Sequence, residues 1–193
     1  VLALSGSFAA WCTSGLETML FTLLGFLVFF NHGARNVMHI VLDIINHFHR
    51  PKADFPTRCH IEQRFAAVLN RLLADEKPTH LAVVAHSQGT VIALDVLDWP
   101  SWGPLLRRGG PDAVQVHLMT FGSPFTHLYQ HYFPHQYPPL QDPRWDGLRQ
   151  NLDQWVNLFR IDDFVGTHID GGTGNQPFDR GGHTSYWETT ILS

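Results

Sequence analysis

Apolar residues change their rhythm several times along this chain, and each change marks a predicted element. Val37, Ile40, Val41, Ile44, Ile45 and Phe48 recur at three- and four-residue steps until Pro51, which predicts an amphipathic helix over residues 35–49. A second predicted helix runs from Ile61 to Leu73, with Ile61, Phe65, Val68, Leu69 and Leu72 on one face and Pro78 beyond its end. HLAVVAH, residues 80–86, is apolar without alternation, the pattern of a strand buried on both faces of a parallel sheet. TVIALDVL, 90–97, returns to helical spacing. VQVHLMTFGSP, 114–124, and WVNLFRIDDFVG, 155–166, read as two more strands, one ending in a glycine turn and the other in two carboxylates. VLAL at residues 1–4 reads as a short buried strand, and SGSFAAWCTSG after it as a loop. Strands alternating with helices predict an α/β fold, a doubly wound and mostly parallel sheet with flanking helices.

Two stretches depart from that rhythm. Residues 124–150 are dense in Pro, Tyr, His, Phe and Trp and lack periodicity, so they read as an insertion. Its Tyr129, Tyr132, Phe133, Tyr137 and Trp145 either line a pocket or cover the sheet edge. Residues 16–30 are the most apolar, and their uninterrupted run MLFTLLGFLVFF, 19–30, falls short of the roughly 20 residues that span a bilayer. Its side chains spread around all sides of a helix, which predicts contact with a membrane or a hydrophobic partner through residues 16–30. The chain is expected to divide into an apolar N-terminal segment, 1–34, and an α/β domain, 35–193, with a membrane-associated or cytoplasmic location. No basic segment followed by an apolar stretch and a small-residue cleavage site is present, so no signal peptide is read.

Composition narrows the chemistry. A net charge of -4 over 193 residues gives no basic footprint for nucleic acid. Cys12 and Cys59 lack the spacing of a zinc site or a disulfide framework. Thirteen histidines invite a metal, but Pro134 interrupts the series His127, His131, His135, and no carboxylate lies close beside it in sequence. No metal and no organic cofactor is expected.

The sharpest signal is Ala85-His86-Ser87-Gln88-Gly89, a serine between small residues where a strand pattern gives way to a helix pattern. Such a turn is the nucleophile elbow: its sharpness exposes the hydroxyl, and the helix start aims backbone N–H groups at a developing oxyanion, Gln88 supplying one of them. The bland alternative is a serine that caps the helix. Downstream lie the partners a serine nucleophile needs, in the order acid then base. Asp162 and Asp163 end the third strand, and His183 stands in GGHTSYW; His168 is a rival base and His86 a neighbour suited to packing.

These segments resemble the α/β-hydrolase superfamily of serine hydrolases, in its lipase-like form. VVAHSQGT is similar to the nucleophile elbow, TFGSP to the following strand end in fungal-type (class 3) lipases, NLFRIDDFVG to the acid loop and HTSYW to the histidine loop, covering residues 60–190. Similar bacterial hydrolases set Arg, Asp, Val and Gly as they stand at Arg160, Asp163, Val165 and Gly166, which implies Asp163 rather than Asp162 as the acid. The triad implied is Ser87, Asp163 and His183, acting on a small-molecule or lipid-like ester without cofactor. The resemblance implies a second oxyanion donor in the loop after an early strand; the loop at Ser5, Gly6, Ser7 and Phe8 is one place for it, and a loop elsewhere in this chain or outside it is the other. GGTGNQP, 171–177, lacks a phosphate loop's lysine and reads as a flexible connection between acid and base. Two other functions fit the same residues: an acyltransferase using the same triad, and a non-catalytic domain that docks a membrane or partner.

Overall fold

The computed structural model describes residues 57–106, 110–171 and 174–187, with the isolated helical positions Gly25, His39, Leu42 and Ile44. All but those four belong to the second of two compact units, Pro51–Ser193. The opening strand and loop, the segment at 16–30 and most of the helix expected at 35–49 lie outside the described residues.

Helix α1, Thr57–Arg71, runs into a wider turn of π type at Leu72–Glu76, which ends on Lys77 at φ 45°. Strand β1 is His80–His86, followed by α2, Gln88–Leu97, the short α3, Trp102–Leu105, and β2, Gln115–Phe121. A π turn at Phe125–Gln130 and a 3-10 turn at Pro143–Trp145 lead to α4, Asp146–Asn151. Strands β3, Gln154–Arg160, and β4, Gly174–Phe178, complete the order.

The four described strands form one parallel sheet in the order β1-β2-β3-β4. Parallel pairing carries all four carboxyl ends to one edge, and the turns that follow the strands collect there. α2 touches both β1 and α4, so the two connecting helices share a face of the sheet. Consecutive order with crossovers of one hand has that result. The described strands therefore wind in one direction; the reversal of a doubly wound sheet would need a strand on the other side of β1, and none is among the described residues.

The face under the helices is closed. Leu81, Val83 and Ala85 of β1 and Val116, Leu118 and Thr120 of β2 are buried, and Val91, Leu94 and Val96 of α2 have no exposed surface. α2 can be apolar on nearly all sides because β1, α1 and α4 surround it. The opposite face departs from the sequence expectation. Val84 is 55% and Met119 40% exposed, so β1 is buried on alternate residues rather than on both sides. The stripe of α1 is likewise only partly used: Leu69 is buried, whereas Ile61, Val68 and Leu72 are exposed. An apolar run thus identified the elements, but not which faces find cover.

Along the sheet interior, Thr120 donates to Asn157 Oδ1 at 2.9 Å, and Asn157 Nδ2 donates to Asn175 Oδ1 at 3.0 Å. The second bond ties β4 to the sheet where expectation had a flexible loop at 171–177. Gly174, Asn175, Gln176 and Pro177 give no apolar alternation, yet an edge strand tolerates a proline and needs no buried face.

The insertion is a core of its own. Phe125, Tyr129, Tyr137 and Trp145 have no exposed surface; they meet edge-on, with Tyr129 and Tyr137 centroids 5.1 Å apart, except that Tyr137 and Trp145 stack at 6.3 Å. Only Tyr132 of the aromatics considered above is largely exposed. Tyr137 donates to Asp95 Oδ2 at 3.0 Å, and Arg58 Nη2 donates to the same oxygen at 2.8 Å, with Arg144 3.9 Å from Oδ1. Burial pushes the Asp95 carboxyl up to about 6 against the pull of Arg58.

Among the described residues no helix is long and apolar enough to cross a membrane.

Candidate active site

Ser87 occupies the one-residue turn between β1 and α2 at φ 54°, ψ -130°, a conformation that only glycine adopts without strain. Two backbone bonds hold it there: its N–H donates to Phe121 O at 2.9 Å, and its carbonyl accepts from Thr90 N at 3.0 Å. Its side chain makes no capping bond to α2. The hydroxyl instead lies 2.8 Å from His183 Nε2. The capping role weighed for this serine is therefore not the one it adopts.

Asp163 follows β3 and turns back on itself. Its Oδ1 accepts the Val165 and Gly166 N–H groups, each at 2.9 Å, and its Oδ2 faces His183 Nδ1 at 2.9 Å. Burial alone would raise this carboxyl, but the hydrogen bond from His183 and the two amides hold it below the ordinary carboxylate range. An ionised carboxylate only accepts, so Nδ1 carries the imidazole proton and the neutral ring's Nε2 accepts from the Ser87 hydroxyl. Asp162, next door, faces solvent and accepts the N–H groups of Gly181 and Gly182 at 3.0–3.3 Å.

His183 is buried in the loop after β4. His86 Nε2 donates to its backbone carbonyl at 3.0 Å, and the two imidazole rings lie 5.1 Å apart. Burial holds His86 below its ordinary range. His168 pairs with Asp170 at 3.1 Å in an exposed position. The structure thus brings Ser87, Asp163 and His183 together and leaves His168 outside.

The turns around the triad are tight. Gly122, at φ 54°, would set a Cβ 3.1 Å from Asp163 Oδ2 and 3.3 Å from His183 Cε1, and Gly166 would set one 2.2 Å from the Cα of Gly122. Gly89 differs: among the described residues a Cβ there would meet nothing within 4 Å.

Gln88 opens α2, and its side-chain amide donates to Tyr129 OH at 3.2 Å. The loop carrying Ser5 to Phe8 lies outside the described residues. A cavity of about 350 Å³ beside the start of β3, lined by Leu140, Leu148, Arg149, Leu152 and Trp155, contains no member of the triad. Geometry of reacting groups, rather than cavity size, marks the site. Among the described residues no three His, Cys, Asp or Glu side chains gather as a metal site requires.

The contacts of Asp162 with Gly181 and Gly182 and of His86 with the His183 carbonyl were not foreseen. So too the Tyr186 hydroxyl, which lies 2.9 Å from Asp163 Oδ2 and 2.8 Å from Arg160 N. Only the placement of Tyr186 three residues after His183 hinted at it. No protein-family model matches the sequence, and no curated protein matches it.

Proposed function

We propose that this chain is a serine-dependent carboxylic ester hydrolase of the α/β-hydrolase kind. The observation that carries the reading is the continuous line from Ser87 Oγ to His183 Nε2, 2.8 Å, and from His183 Nδ1 to Asp163 Oδ2, 2.9 Å, on a serine held at a strained elbow. Ser87 Oγ attacks the acyl carbonyl while His183 Nε2 takes its proton, giving a tetrahedral oxyanion. Asp163 stabilises the imidazolium so formed and keeps its Nδ1 proton in place. His183 then hands its proton to the departing alcohol, leaving an acyl-enzyme. Water, deprotonated by the same nitrogen, attacks the ester carbonyl, and the second collapse releases the carboxylic acid with its proton returned to Ser87. The backbone N–H of Gln88 at the start of α2 suits an oxyanion donor.

Ile161, Phe164 and Trp187, which flank the acid and follow the base, are exposed apolar side chains. They favour an ester with an apolar acyl part, and residues 16–30 are read as holding the chain near such a lipid-like substrate.

The test is covalent labelling by a fluorophosphonate, which only an activated serine captures. The wild-type chain should be labelled on Ser87 and should hydrolyse a short-chain p-nitrophenyl ester; Ser87→Ala should lose both with nearly unchanged thermal stability. A folded wild-type chain that resists the probe at Ser87 overturns the reading.

A further inference from the structure

Tyr186 has no exposed surface, yet its hydroxyl is engaged on two sides. The Arg160 N–H, 2.8 Å away, can only donate, so the hydroxyl accepts there. Its single proton is left for Asp163 Oδ2 at 2.9 Å. The direction of both bonds is thereby fixed by valence. Burial, reinforced by the Asp163 charge, pushes the phenol above its ordinary range, so this donor does not ionise near neutral pH.

We propose that Tyr186 is a positioning residue for the acid of the triad: its O–H occupies the side of Asp163 Oδ2 that His183 leaves open, fixes the carboxylate plane and disperses part of its charge. The inference rests on the hydrolase reading of Ser87, Asp163 and His183. With this donor in place, Asp163 is held by groups on both oxygens, two amides on Oδ1 and the phenol and imidazole on Oδ2.

Tyr186 is itself pinned from the acid side. The Arg160 guanidinium lies 4.9 Å from its ring centroid and 5.5 Å from that of Phe178, and Arg160 Nη2 donates to Ser185 O at 2.8 Å. A Cβ at Gly181 would collide with that guanidinium, and Asp162 holds Gly181 and Gly182 by their N–H groups. The acid turn and the base loop are thus stitched to each other at 160, 162 and 163, through contacts that do not involve Ser87. A buried cation clasped by two aromatic rings orients the phenol, and the phenol orients the carboxylate.

The positive end of the hydroxyl dipole faces Asp163 and opposes the carboxylate's hold on a protonated His183. Removing it strengthens that hold and moves the protonation midpoint of the base to higher pH. The other titratable or charged groups about the pair are His86, Arg160 and Asp162, and Tyr186→Phe changes none of them.

The experiment follows the proton NMR signal of His183 Nδ1–H against pH in the folded, full-length chain. In Tyr186→Phe its midpoint should rise by roughly half a pH unit, and turnover of a p-nitrophenyl ester should fall about tenfold in kcat with KM little changed. Site-specific 3-fluorotyrosine at 186, a stronger donor with the same ring, should move the midpoint down. If Tyr186→Phe fails to fold because the Arg160 N–H loses its acceptor, the fluorotyrosine variant decides alone. Midpoints that stay in place in every variant that folds reduce Tyr186 to packing and overturn the proposal. A midpoint that moves in a chain hydrolysing no ester upholds the positioning of Asp163 and sinks the hydrolase reading instead.

Discussion

Ser87 and Asp163 owe their settings to the backbone around them. Backbone strain of the kind Ser87 carries costs of order 1–3 kcal/mol, offset here by its bonds to Phe121 and Thr90. Asp162 and Asp163 are the same side chain one position apart, yet one faces water and the other is buried among four donors. Asp163→Asn should slow fluorophosphonate labelling of Ser87 on the order of a thousandfold or more, because the amide removes the charge that stabilises the imidazolium and favours the wrong tautomer. Asp162→Asn should change the rate by only a few-fold, since an amide oxygen still accepts from Gly181 and Gly182. The opposite ranking would transfer the acid's role to Asp162. The register that singles out Asp163 was legible because its neighbours Val165 and Gly166 are the residues whose amides it binds. The phenol on its other oxygen was not, because a tyrosine's direction depends on a loop that has no periodicity.

At the scale of elements, the site depends on turns at the carboxyl ends of β1, β2 and β3 approaching one another without side chains between them. Gly166→Ala places a methyl group 2.2 Å from the Cα of Gly122 and should cost about 3 kcal/mol or more in urea unfolding, since backbone rather than a flexible side chain must yield. Gly174→Ala meets only ordinary contacts at 3.6 Å and should stay within about 1 kcal/mol. Equal losses would mean that the turns have room to part. Three strands and α2 were readable from apolar runs, since burial under helices requires them. β4 was not, as Asn157 and Ile169 hold its Asn175 through polar bonds that leave no hydrophobic mark. The exposed Val84 and Met119 show the converse: apolar strand residues without a buried face.

For the described unit as a whole, the widest polar tie is at Asp95, where α1, α2 and the aromatic insertion meet through Arg58, Tyr137 and Arg144, with Glu62 bonded to Arg58 at 2.5 Å. Its folded carboxyl, at about 6, lies above the unfolded value of 3.8, so the native state binds the proton more tightly between these limits. Stability from this group is therefore present below the unfolded value and lost as pH rises through 6. The stability difference between wild type and Asp95→Asn should shift against the wild type by about 2 kcal/mol from about pH 4 to pH 7, read by urea unfolding at each pH. A difference that is flat, or that runs the other way, would mean the pair with Arg58 outweighs burial.

The separation of the site along the chain also has a bearing on how the protein is made. Ser87 precedes its base by 96 positions, and the acid precedes it by 20. At translation rates of about 5–20 residues per second, the elbow is synthesised some seconds before the histidine that would deprotonate it. Until then the nascent chain carries an ordinary alcohol. A product cut short just past Phe178 keeps all four described strands yet lacks His183, and on the proposed hydrolase reading it leaves nearby esters intact. On that reading, reactivity is withheld until the loop after β4 has been made, and a product that stops before it is a harmless one.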